Sequence, residues 1–137
     1  MNKIMNTRAF LIFCAVGLVP IALGYGASPS ATLDFLFGIK VDTTNLTHIM
    51  RAVMGLYLGM VVFWLMGAFR KPLAAAALAS CAVFMLGLAA GRILSFIVDG
   101  MPHWLLIVYA VLEVVLGVMA LILYWKNRSD DTPAPEE

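Results

Sequence analysis

The sequence predicts an all-α membrane protein: a four-transmembrane-helix bundle with a short interfacial or re-entrant helix between spans 1 and 2. Three observations carry this. Of 137 residues, 63% are hydrophobic and only 12% charged, against about 45–50% apolar and 25% charged in soluble domains. Four runs approach the roughly 20 apolar residues that cross a bilayer. Basic residues flank those runs at every second connection. Residues 1–128 are therefore read as one membrane domain, and 129–137, Ser-Asp-Asp-Thr-Pro-Ala-Pro-Glu-Glu, as a cytoplasmic tail too polar to order itself.

The first span runs from about Ala9 to Tyr25 and includes Pro20, expected to kink it. A secretory signal is the rival for this segment, because Lys3 and Arg8 precede it and Gly24, Gly26 and Ala27 follow. Between the first two spans, Ala31–Ile39 is too apolar for a free loop and too short to cross. Ser28-Pro29-Ser30 supplies a helix start signal there. Asn45-Leu46-Thr47 matches a glycosylation acceptor, but fits better as a capping segment. The second, third and fourth spans run from about His48 to Phe69, Leu73 to Val98 and Trp104 to Trp125. The tryptophans at 104 and 125 bracket the last span as interfacial anchors.

Lys3 and Arg8, Arg70 and Lys71, and Lys126 and Arg128 then share one side of the membrane. The positive-inside rule makes that side cytoplasmic and places both termini there. The expected location is a bacterial inner membrane.

Three charges fall inside spans: Arg51, Arg92 and Glu113. Each costs roughly 2.5–3.5 kcal/mol near a bilayer centre on insertion scales, so it pairs, lines a cavity or snorkels. Reflecting the third span through the short Asp99–His103 turn sets Tyr109 level with Arg92 and Glu113 one turn deeper on the same face. At 1.5 Å per residue, Arg92 lies about 10 Å and Glu113 about 15 Å from their helix ends, within reach of an ion pair. Ser95 and Asp99 follow Arg92 at helical spacing, and His48 precedes Arg51 by one turn. Arg51, Arg92, Asp99, Tyr109, Glu113, His48 and Ser95 are thus expected to converge in the outer half as ligand-binding residues. Arg51 is expected to turn inward, because Gly55 shares its face and small residues pack against neighbouring helices. Gly55/Gly59 and Gly87/Gly91 form two GxxxG motifs, read as bundle-packing surfaces with homodimerisation as the alternative.

Other chemistry is poorly supported. Cys14 and Cys81 lie in apolar runs without metal-ligand or CxxC spacing. No P-loop, GxGxxG, HxxxH or nucleophile elbow occurs, so no cofactor, metal or catalytic residue is assigned. A net charge of +1 excludes a basic nucleic-acid surface.

Two strings carry a resemblance. Asn45-Leu46-Thr47-His48-Ile49-Met50-Arg51-Ala52-Val53-Met54-Gly55-Leu56-Tyr57-Leu58 resembles the first signature of the DUF4345 family. Gly91-Arg92-Ile93-Leu94-Ser95-Phe96-Ile97-Val98-Asp99-Gly100-Met101-Pro102 resembles the second, and Glu113 matches the glutamate of the last helix. The resemblance covers about residues 9–125 and implies a small bacterial four-helix inner-membrane protein, with no activity attached. The expected function is a non-catalytic membrane protein that binds a lipid or small amphiphile, or an accessory subunit of an envelope complex. Membrane lipids, a second copy or a larger membrane complex are the expected partners. A proton-coupled transporter using Glu113 and a membrane enzyme acting on a lipid-like substrate are the alternatives.

Overall fold

The computed structural model describes residues 2–130, with side chains placed from Thr7 to Ser129. Five helices follow one another: α1 (Asn2–Gly26), α2 (Pro29–Phe37), α3 (Thr44–Phe69), α4 (Ala74–Val98) and α5 (Trp104–Asp130). All but α2 contain stretches long and apolar enough to cross a membrane, so the chain is a multi-pass helical membrane protein. Helix α5 continues through Asp130, so Ser129 and Asp130, read from the sequence as the start of the tail, are helical. The remainder of that tail lies outside the described residues.

Local chemistry sets the boundaries. α1 stays helical through Pro20. Pro29 opens α2 at the position where a missing N–H costs nothing. Gly38 closes it at φ 68°, a left-handed conformation that glycine adopts without a Cβ clash. Thr43 caps α3: its hydroxyl accepts the Leu46 N–H at 3.2 Å, and the Thr47 hydroxyl donates to the Thr43 carbonyl at 3.1 Å. The Asn45-Leu46-Thr47 segment is therefore the first turn of a helix. A single 3-10 turn, Lys71–Leu73, reverses the chain into α4. Gly100, at φ 94°, makes the turn into α5.

The bundle is an arc. α1 packs mainly on α3, α3 on α4 and α4 on α5, while α1 and α5 scarcely touch. In lipid, such packing rests on close dispersion contact, since the surroundings are as apolar as the helices. A ladder of edge-to-face rings links α1, α3 and α4: Tyr25–Tyr57, Tyr57–Phe84 and Phe84–Trp64, with centroids 5.8, 5.1 and 5.6 Å apart. Trp64 is fully buried, and its indole donates to Ser80 Oγ at 3.1 Å. Ser80 in turn donates to the Ala77 carbonyl at 2.8 Å, so the Trp64 indole and the Ser80 hydroxyl are both satisfied.

Close helix approach depends on glycines outside both GxxxG motifs. A Cβ on Gly26 would strike Met54, one on Gly67 would strike Ala77, and one on Gly117 would meet Leu86. The expected use of Gly55/Gly59 and Gly87/Gly91 as bundle-packing surfaces is overturned: nothing lies within 4 Å of a Cβ built on any of them. All four glycines face outward. Small residues permit close approach, but bulky neighbours at other angles decided which faces met.

Candidate functional site

The site grows from one ion pair. Arg92 on α4 donates its Nε–H to both carboxylate oxygens of Glu113 on α5, at 2.8 and 3.0 Å. The expected pairing is present. Six residues separate Arg92 from the end of α4, and nine separate Glu113 from the start of α5, or about 9 and 14 Å at helical rise. Both side chains are largely shielded, with 18% and 10% exposure. A lone arginine at this depth needs a counter-charge, and Glu113 supplies it.

Three tyrosines surround the pair. The Arg92 guanidinium carbon lies 5.8 Å from the Tyr109 ring centre, within cation–π range. The Tyr25 phenol stands beside the same guanidinium. Tyr57, 6% exposed, packs edge-on against Tyr25 and lines the same cavity as Arg92 and Glu113. Arginine carries five N–H donors and commits one, Nε, to Glu113. Four remain for Tyr25 and for an acceptor from outside the chain.

Below the pair runs a cavity of about 150 Å³. Its walls come from α1 (Phe13, Gly17, Ile21) and α5 (Leu112, Leu116), and its floor includes Tyr57, Met85 and Leu88. It lies in the gap that the arc leaves between α1 and α5. Phe13 and Leu112 on the rim are 65% and 49% exposed, so the cavity opens sideways toward the hydrocarbon. A second hollow adjoins it at the end that carries α2. That hollow shares Ile21 and Tyr109 with the first and is covered by Leu33, Leu36 and Phe37 of α2. Together they form a groove from the α2 end to the middle of the bundle, with the ion pair and its tyrosines along one side. Away from the ion pair and the tyrosines the lining is apolar, which favours an apolar group over water there.

The expected convergence of seven residues is corrected. Arg92, Tyr109 and Glu113 meet in the groove. Arg51 and His48 lie in a separate shallow hollow with Val41, Asp42 and Thr43. Arg51 is exposed, because the Gly55 face that it shares points away from the bundle. Ser95 and Asp99 are occupied with each other: the Ser95 hydroxyl donates to Asp99 Oδ2 at 2.7 Å near the surface. His103 sits edge-on to Phe37, with ring centres 5.8 Å apart, pinning α2 to the start of α5. Tyr25, Tyr57 and the apolar walls were missed. Tyr25, at the end of the first span, was an available signal; Tyr57, in the middle of α3, and the gap between α1 and α5 had none.

Fold and site together define a small multi-pass helical membrane protein with one buried ion pair at the head of a lipid-facing groove. The chain belongs to the family described as domain of unknown function (DUF4345), whose model matches residues 6–124. No curated protein and no solved structure matches it.

Proposed function

We propose that this protein holds one long-chain amphiphile in the groove between α1 and α5, with the head group at Arg92–Glu113 and the chain among Phe13, Gly17, Leu112 and Leu116. The observation that carries this reading is an apolar, sideways-open cavity headed by a charge pair. The unused guanidinium donors and the Tyr57 and Tyr109 hydroxyls favour a head that accepts hydrogen bonds. Among the described residues those two hydroxyls form no hydrogen bond of their own. Because the pair is neutral, an ester, ketone or protonated acid adds no net charge at this depth, whereas an ionised head leaves one uncompensated.

Leu11, Trp64, Leu78 and Cys81, each with at most 2% exposure, close the bundle beyond the groove. This seal counts against a continuous transport path. The positive-inside pattern of Arg8, Arg70, Lys71 and Lys126 supports an inner-membrane protein with both termini cytoplasmic. A C-terminal reporter active only outside the cytoplasm should then stay silent, and activity there would reverse the topology.

Gly17 gives the direct test of the groove. It lines the cavity, and nothing lies within 4 Å of a Cβ built on it, so Gly17→Leu starts its side chain in open space and occupies the groove. After thorough detergent exchange, mass spectrometry should find one amphiphile per wild-type chain and little in Gly17→Leu. The same lipid complement in both proteins would defeat the reading.

A further inference from the structure

The opposite end of the bundle holds a hollow unrelated to the groove. Its volume is about 300 Å³, and α1, α3, α5 and the turn into α4 all contribute to it. Arg8 and Lys71 line it together with Thr7, Phe69 and Asn127, and among the described residues no acidic side chain does so. The Arg8 guanidinium lies over the Phe69 ring, 4.6 Å from its centre. That contact holds a flexible cation in one place before any ligand arrives. Thr7 is 4% exposed, and its hydroxyl oxygen accepts from Asn127 Nδ2 at 3.3 Å. The Thr7 proton and the second Asn127 N–H remain as donors. Among the described residues neither Arg8 nor Lys71 forms an ion pair.

Two cations and two neutral donors around one concavity, with no carboxylate among them, match the demands of a tetrahedral oxyanion. We propose that this hollow is a phosphate-binding site, gripped between Arg8 and Lys71. An anionic phospholipid headgroup and free phosphate both carry the group. Arg70 and Lys126 lie at the same end but outside the hollow. General attraction to an anionic surface draws on Arg70 and Lys126 as much as on Arg8 and Lys71, whereas a site uses only the latter two. The inference stands independently of the groove.

The experiment titrates the purified full-length chain in neutral detergent with short-chain phosphatidylglycerol, phosphatidylcholine and inorganic phosphate. Salt at about 0.5 M screens exposed charges. Phosphatidylglycerol should bind one per chain. Arg8→Gln and Lys71→Gln should each weaken it about tenfold, the loss of one charge-assisted contact. Arg70→Gln and Lys126→Gln should stay within about twofold, since their charges are screened. A chain ending at Asp130 removes the acidic segment from the comparison and should show the same pattern. Inorganic phosphate binding as tightly as phosphatidylglycerol would make the free ion the ligand and keep the site. Equal weakening in all four variants, or equal binding of phosphatidylcholine, would overturn it.

Discussion

Replacing Glu113 with alanine removes the only counter-charge that Arg92 meets among the described residues, and the size of the effect can be worked from depth. Breaking a buried ion pair in a soluble core costs about 3–5 kcal/mol, because one charge is stranded. In a bilayer the stranded arginine is priced at about 2.5–3.5 kcal/mol at the centre. Arg92 is six residues from its helix end, and over that distance of about 9 Å a long side chain can turn partly toward the interface. A loss of about 2–3 kcal/mol follows. Glu113→Gln keeps the shape and one acceptor oxygen and should lose less. Unfolding by SDS titration in mixed micelles measures each variant. The decisive comparison is Arg92→Leu with Glu113→Leu, which removes both charges and should be more stable than Glu113→Ala alone. Losses that simply add across the pair would show that the two side chains do not depend on each other.

Further expectations follow from the same geometry. Gly26→Ala should destabilise by about 1–3 kcal/mol through overpacking against Met54, while Gly55→Ala and Gly87→Ala leave unfolding of the single chain unchanged; the same titration separates them. Arg51→Leu should leave amphiphile content unchanged and alter stability by less than about 0.5 kcal/mol, because Arg51 is exposed and outside the groove. Retained-lipid mass spectrometry checks the first point. Cys14 and Cys81 are buried and in contact across α1 and α4, so a thiol-bridging mercuric ion should cross-link them. Two independently titrating thiols would show that α1 does not pack as described.

The spans were legible because each is a long apolar run ending at charges, prolines or glycines, and hydropathy alone marks such boundaries. The Arg92–Glu113 pair was legible for a different reason: a short turn forces antiparallel neighbours, and helical rise then fixes which residues stand level. Arg51 shows where that reasoning stops. Its helical face was known, but the direction of the face depended on whether Gly55 met another helix, and no local pattern encodes that. Gly26, Gly67 and Gly117 make the close contacts instead, although none belongs to a recognisable motif. The groove was hidden for the same reason. It exists because α1 and α5 stay apart, a property of the whole arc of helices.

Photolabelling with a long-chain ester carrying a diazirine along its chain tests the central claim most directly. Labelling that saturates at one probe per chain should map to Phe13–Ile21 of α1 and Tyr109–Leu116 of α5, and should vanish in Gly17→Leu. Labelling spread over the exposed faces of Val83, Ile97 and Val118, with no saturable component and no response to Gly17→Leu, would contradict it.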